Sequence, residues 1–373
     1  MVIKRSVSNS SCSLEKRLSQ LGELRVIDFI RKYTGGIGNN KSIGCRVLTG
    51  IGDDCAVIEL GRGWRKARKK LLLTTDTFVE NVHFRLNIMN FAQVGYRAVL
   101  GALSDIAAMG GEPLWLLVTI CWPPNAKFSE IRQLYNGILR ATKEYSLAIV
   151  GGDTVSSRER VVTITVLGEA NVSGSVMRDG AQAGNDIWVA GAPGDASAGL
   201  KILTSRFSCC KSARKRKHIS GMPAEERKLV RAFLEPKPQL KLGALLASHK
   251  LATAMIDTSD GLAAGVSAIC QESNVGAKLK AELLTPSLSL AGWCKRSGHN
   301  PLQFMLAGGE DYGLVFTSRT GVRTAISAAG RRITGTRMRR IGTIVPRPLQ
   351  PTLIRQDGRQ TVISSMGWNH WKS

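Results

Sequence analysis

Leucines 14, 18 and 21 recur at helical spacing and predict a first helix, which passes Gly22 into a second apolar-rich helical segment over 24–33. Glycine and polar residues over 35–44 predict a loop. Short β-like runs follow at 45–48 and 56–60, separated by a Gly-Asp-Asp turn, and again at 71–75. The apolar stretch 91–109, stopped by Gly110-Gly111 and Pro113, predicts a buried helix. Strands are expected at 114–121, 147–150 and 161–169, with a helix at 129–145 between the first two. Gly, Ser, Asn and Asp gather over 171–186 and predict a boundary. Beyond it the mixture resumes: strand 186–190, helices 196–204 and 225–234, strand 254–256, helix 261–272, and strands 313–317 and 340–344. Alternation of this kind predicts an α/β, mixed α+β, layered protein. At 373 residues the chain exceeds one small core. The expected division is a tail and helix start at 1–20, an N-terminal domain at 21–172 and a C-terminal domain at 173–373.

Composition narrows the class. A hydrophobic content of 43% with 39 Gly and 12 Pro fits a folded, loop-rich enzyme rather than a disordered chain. The best apolar run, 114–122, is half the ~18 residues of a membrane span. Lys4 and Arg5 give way to Ser and Asn with no apolar core behind them, so no signal peptide is expected and the chain reads as cytoplasmic. Eight cysteines without a CxxC pair or zinc spacing read as reduced thiols. The net charge of +24 has two readings: a nucleic-acid or membrane-surface binder, or a basic surface that attracts anionic small substrates. Its densest clusters, 62–70 (RGWRKARKK) and 211–217 (KSARKRK, within a longer 206–217 segment), read as loop insertions. No aromatic residues interleave the second cluster and no binding motif accompanies either, so neither nucleic acid nor membrane is expected as a partner.

Acidic residues are scarce, and their placement is informative. Nine of the 28 lie in six short motifs: Gly52-Asp53-Asp54, Thr74-Thr75-Asp76-Thr77, Ser104-Asp105, Gly151-Gly152-Asp153-Thr154, Asp257-Thr258-Ser259-Asp260-Gly261 and Gly308-Gly309-Glu310-Asp311. The windows 98–112, 147–157, 252–266 and 302–316 hold no Lys or Arg, in a chain that has 52. Carboxylates in apolar, cation-free surroundings are costly unless compensated. Ser259 or Asp260 suits the N-cap of the following helix, but nine acids cannot all be caps. Divalent cations are the economical alternative, and Asp, Ser and Thr oxygens suit Mg²⁺ rather than zinc. Mg²⁺ with glycine turns implies a phosphorylated ligand. No Walker A sequence and no protein-kinase signature is present, so a nucleotide would be gripped mainly through metal.

With these motifs in view the chain resembles the thiamine-monophosphate kinase family, in the superfamily that includes aminoimidazole-ribonucleotide synthetase and selenophosphate synthetase. The likeness runs from about residue 21 to 371 as an ordered series. It comprises IGDDCAVIE (51–59), TTDTFVENVHF (74–84), LSDIAAMGGEP (103–113), VGGDTVSS (150–157), RDGAQAGNDIWVAGAPGDASAGL (178–200), IDTSDGL (256–262), GGEDYGLVF (308–316) and GWNHW (367–371). The resemblance implies a two-domain aminoimidazole-ribonucleotide-synthetase-like fold whose N-terminal sheet pairs across a homodimer. It also implies direct in-line transfer from ATP to thiamine monophosphate, assisted by several Mg²⁺ ions, the last step of thiamine diphosphate formation. Residue by residue, Asp54, Thr74, Thr75, Asp76, Asp105, Asp153, Asp257 and Asp260 match metal positions. Tyr135, Gly152, Asp153, Arg178 and Ser259 match nucleotide contacts, and His83, Glu310 and Trp368 match the thiamine phosphate side. No covalent nucleophile is implied; Arg178 and Mg²⁺ would stabilise charge. Asn81 stands where the family's VEGVHF element has glycine, and Asn369 where an acid is frequent. The alternatives are another reaction of the same superfamily and a basic nucleic-acid-binding protein on a retired enzyme fold. A selenophosphate synthetase would need a reactive Cys or selenocysteine near the N-terminus, and a retired fold would not need every one of these carboxylates.

Overall fold

The computed structural model describes residue 27 and residues 46–59, 70–171, 173–207, 221–330, 336, 338–347, 350–364 and 366–367. The expected N-terminal helices (Ile27, itself helical, excepted), the 35–44 loop, most of both basic insertions, Trp368 and Asn369 lie outside these residues.

The first half builds β1 (Arg46–Thr49), β2 (Ala56–Glu59), β3 (Lys70–Val79), α1 (Phe91–Ala108), β4 (Glu112–Trp122), α2 (Phe128–Glu144), β5 (Ala148–Ser156) and β6 (Val161–Glu169). Its six strands form one sheet in the order β1-β2-β3-β6-β4-β5. β4 and β5 are parallel, with α2 as their crossover; the other pairs are antiparallel. Strict alternation assigns the two faces. Leu72 and Phe78 of β3, Leu116, Val118 and Ile120 of β4, and Val162, Ile164 and Val166 of β6 are buried on the helix-covered side.

α1 lies on that side and is apolar almost all round, fourteen of its eighteen residues being buried. Asn90 starts it with a capping box completed by Gln93. α2 lies so close against it that a Cβ on Gly137 would collide with the Ala92 carbonyl. Gly137→Val therefore puts a branched side chain into backbone, and we expect a loss of about 3 kcal/mol in stability. Equilibrium urea unfolding measures it; an unchanged midpoint would mean that the two helices part freely.

The second half comprises β7 (Asp186–Ala190), α3 (Asp195–Phe207), α4 (Ala224–Leu234), α5 (Leu240–Ser248), β8 (Ala254–Asp257), α6 (Leu262–Glu272), β9 (Gly276–Lys280), α7 (Leu288–Ser297), α8 (Pro301–Ala307), β10 (Leu314–Ser318), α9 (Arg323–Ala329), β11 (Met338–Val345), β12 (Thr352–Ile354) and β13 (Gln360–Val362). Its seven strands follow the order β13-β12-β9-β11-β7-β10-β8. β7, β8 and β10 are buried along their whole length, as strands covered on both faces must be. α5 crosses back onto α1, where a Cβ on Gly243 would collide with the Ala107 carbonyl. The two halves are thus locked at α1. Among the described residues no helix is long and apolar enough to cross a membrane.

Three expectations change. The strand expected at 147–150 runs on to Ser156, paired with β4 through Gly151, Gly152 and Asp153. The strand expected at 71–75 runs on to Val79, because β6 pairs with it residue for residue as far as Val161. Gly261, not Ser259 or Asp260, is the N-cap of α6; the Ser259 hydroxyl is already committed to Asp257 Oδ1, at 2.8 Å.

Candidate active site

Four carboxylates from four elements meet where the halves join. Asp54 comes from the turn between β1 and β2, and Asp76 from the inner face of β3, opposite buried Ile164. Asp105 comes from the last turn of α1, and Asp257 from the end of β8. Along β3 the inward positions are 72, 74, 76 and 78, so Thr74 and Asp76 interrupt an apolar row. Ligand oxygens of Asp54, Asp105 and Asp257 lie within 4.8 Å of one another. Asp76 sits alongside: a Cβ on Gly101 of α1 would come 3.0 Å from its Oδ2.

Three of the four carboxylates are held by a hydrogen-bonding neighbour. Thr74 Oγ1 donates to Asp105 Oδ2. Ser259 Oγ donates to Asp257 Oδ1. Arg178 grips Asp54 with both edges of its fork, Nη2 to Oδ1 at 2.8 Å and Nε to Oδ2 at 3.2 Å. The Arg178 backbone N–H donates to Asp53 Oδ2 at 3.1 Å. Asp311, by contrast, accepts from the N–H groups of Gly194 and Ala196 and so caps α3 outside the cluster.

Burial dominates the electrostatics, and mutual repulsion among the carboxylates adds to it. Burial, then Asp257 and Glu310, push Asp76 up to about 7. Burial and then Asp54 push Asp257 up to about 6, and the same two causes put Asp53 at about 6. Asp105 is driven well above the usual carboxylate range by burial, Asp76 and Asp257. Asp257 Oδ2 is buried with no hydrogen-bond partner, and so is Ser104 Oγ, which lies near enough to ease the Asp257 charge without reaching hydrogen-bond geometry. Asp76 accepts no hydrogen bond from the described residues. Hard anionic oxygens converging with one of them orphaned are a donor set that fits Mg²⁺.

Other expected residues lie elsewhere. Thr75 is exposed on the opposite sheet face, bonded to Thr165 at 3.0 Å. The register Thr77–Thr163–Thr119–Asp153 across β3, β6, β4 and β5 puts Asp153 on that same outer face. Gly152 is its neighbour on the edge strand, and Tyr135 is partly buried on α2. Asp260 is exposed at the rim, beside the α6 cap.

On the remaining side, the Val79 N–H donates to His83 Nδ1 at 3.1 Å, and the His83 ring lies 5.5 Å from Phe78. Asn81 has φ 66°, so it takes up the left-handed backbone that a glycine would supply; Asn is among the few residues that tolerate it. Glu310, also left-handed at φ 70°, accepts from Arg97 and, at 3.3 Å, from Tyr312 through Oε2, and its N–H donates to Ser259 O at 2.7 Å. Arg97, Gly101 and Tyr312 did not stand out in the sequence. The available signal was Arg97 itself, one cation in an otherwise apolar helix, spaced 4 and 8 residues before Gly101 and Asp105.

Comparison with known proteins shows the family and the fold. Residues 52–170 match the family model of the AIR synthase related protein N-terminal domain, and 182–352 that of the C-terminal domain. The chain is 34% identical to the thiamine-monophosphate kinase of Aquifex aeolicus over 81% of its own length and 87% of the relative's. It is 30% identical to the Bacillus subtilis thiamine-monophosphate kinase, over 87% and 94%. A solved structure described as AaThiL complexed with AMPPCP and TMP superposes with a TM-score of 0.76 at 30% identity, covering 96% of this chain and all of that one.

Proposed function

The chain belongs to the AIR synthase related protein family and, within it, to the thiamine-monophosphate kinases, and from that premise we propose that it transfers the γ-phosphate of ATP to thiamine monophosphate, giving thiamine diphosphate and ADP. One observation carries the reading: buried carboxylates from both halves converge with an orphaned oxygen, in a chain similar over 96% of its length to a protein solved with AMPPCP and TMP.

The acceptor is already a phosphate anion, so its oxygen attacks the γ-phosphorus without a strong general base, and the reaction depends on positioning and charge. Asp54, Asp105 and Asp257, with Asp76 beside them, would hold Mg²⁺, which when bound neutralises negative charge on the phosphates. Arg178 keeps Asp54 aimed into the cluster, and its side chain is 22% exposed beside it. Ser259 and Thr74 fix Asp257 and Asp105 in the same way. His83 and Glu310 frame the acceptor, while Tyr135, Gly152 and Asp153 are assigned to the nucleotide on the motif match alone.

We read the active form as a homodimer. β5 is an edge strand with eight of nine residues exposed, and Trp115, Val150 and Val155 stand open at 43%, 57% and 43%. A second copy over that face would cover them together with Thr75 and Asp153. A cytoplasmic setting and a division near residues 172 and 173 complete the reading; the segment between β6 and β7 supports the latter.

The test is direct: full-length protein with ATP, Mg²⁺ and thiamine monophosphate yields thiamine diphosphate and ADP one for one. No thiamine diphosphate above background removes the reading.

Metal and protons should compete for the same oxygens. In the unfolded chain these carboxylates titrate near 4; folded and metal-free, Asp53 and Asp257 titrate at about 6 and Asp76 at about 7. The folded state thus holds more protons between these values, and metal-free stability contributed by the cluster falls as pH rises from 4 through 7. Mg²⁺ binds the ionised form, so the rise in Tm that it produces should grow from pH 5.5 to pH 8. A Mg²⁺ effect of constant size across that range would show that the ion binds elsewhere.

A further inference from the structure

We propose that Arg97 is a positioning residue for the acceptor: it sets where the Glu310 carboxylate stands relative to the Asp105 cluster. The inference rests on the reading above, in which Glu310 faces thiamine monophosphate.

Arg97 is fully buried and heads the largest buried side chains of the molecule. Its Nη2 donates to Glu310 Oε2, its guanidinium lies 4.1 Å from the centre of the Phe233 ring, and Tyr312 flanks it at 6.0 Å. Nε and Nη1 are buried with no partner. A brace selected for stability would satisfy those donors, and a core filler would be apolar, because burying an incompletely bonded cation is strongly unfavourable. The cation is therefore kept for the one group it does bond.

That group is not itself a core residue. The Glu310 side chain is 29% exposed, and Oε1 accepts no hydrogen bond from the described residues. Arg97 and Tyr312 both hold Oε2, which leaves Oε1 as the oxygen available to a ligand. The acceptor, a cation that also carries an amine, supplies what a carboxylate oxygen would meet. Glu310 is held at φ 70°, a backbone conformation that a side-chain residue keeps only where its surroundings enforce it.

Spacing gives the arrangement its purpose. Arg97, Gly101 and Asp105 fall at i, i+4 and i+8 on one face of α1. Gly101, without a side chain, lets Asp76 and Tyr312 approach; a Cβ there would come 3.0 Å from Asp76 Oδ2 and 3.4 Å from the Tyr312 hydroxyl. The rise of the helix separates Arg97 from Asp105 by about 12 Å. One rigid, buried helix thus fixes the distance between the carboxylate on the metal side and the carboxylate on the acceptor side. In-line transfer depends on that distance.

The experiment is steady-state kinetics on the full chain, with thiamine monophosphate and ATP varied separately, for Arg97→Met, Arg97→Lys, Glu310→Ala and the double variants. Arg97→Met should raise KM for thiamine monophosphate at least about tenfold and leave KM for ATP within about twofold. Arg97→Lys, which keeps charge but not the fork, should recover part of the loss. In the Glu310→Ala background either Arg97 change should alter KM for thiamine monophosphate less than about twofold. Parallel rises in both KM values, a fall in Tm with both unchanged, or effects that multiply in the double variants would each overturn the proposal. Should Arg97→Met fail to fold, the Arg97→Lys pair decides on the same criteria. Absence of thiamine diphosphate with wild type overturns the functional reading and this proposal with it; normal wild-type turnover with any of the contrary results overturns the proposal alone.

Discussion

Asp105→Asn should lower kcat by at least about 10³-fold while raising the thermal stability of the metal-free protein. Both effects come from one charge. In the folded protein Asp105 is pressed by burial, Asp76 and Asp257, all of which disfavour its ionised form. The neutral amide keeps the shape and can still accept from Thr74, so the repulsion disappears with little change in packing. Turnover falls because a carboxamide is a poorer ligand for a hard dication, and several kcal/mol of charge stabilisation go with the metal, at about 1.4 kcal/mol per factor of ten. Kinetics and thermal unfolding without and with Mg²⁺ measure the two effects. The Mg²⁺-induced rise in Tm should shrink in the variant. A near-normal rate, or a metal-free protein less stable than wild type, would mean that Asp105 is a structural acid and the cluster has another use.

The same four carboxylates explain what could be read from the sequence. Motifs such as Ser104-Asp105 and Asp257-Thr258-Ser259 were visible because an acid inside an apolar, cation-free run contradicts the local pattern. Thr75 shows the limit of that reasoning: it adjoins Thr74 and Asp76 in sequence, yet strand alternation turns it to the opposite face, and Asp153 joins it there.

The buried helix at 91–109 and the strand 186–190 were legible from long or unbroken apolar runs, and they form α1 and β7. α5, with the sequence LKLGALLAS, was not, because a nine-residue helix buried against α1 has little polar face to set its period. β12 and β13, three residues each, carry too few positions for any pattern.

Arg97 was missed for a related reason. The cation-free window that drew attention to Asp105 opens at residue 98, so the lone arginine was set just outside it. Its role depends on Glu310, 213 residues away, and no local pattern reports a contact of that range.

Arg178 provides the second large effect, and its sign separates it from Asp105. Asp53 and Asp54 are 8% and 2% exposed, and Arg178 bonds to both, through its backbone and its side chain. Arg178→Met leaves Asp54 buried without its bidentate partner. Removing one member of a buried pair costs about 3–5 kcal/mol, and the partial exposure of the Arg178 side chain places this case at about 2–3 kcal/mol. The metal-free variant should therefore lose Tm where Asp105→Asn gains it, and Mg²⁺ should restore more of the loss than it adds to wild type, since a cation returns to the same oxygens. Turnover should fall about 10²–10³-fold through a misaimed Asp54 and a missing positive charge beside the phosphates. Arg178→Lys should fall between, because it supplies charge without the fork. A kcat within threefold of wild type in Arg178→Met would remove the arginine from the reaction, whatever happened to Tm. If both variants instead shifted metal-free Tm in the same direction, the balance of one cation against a surplus of carboxylates would be the wrong account of this site.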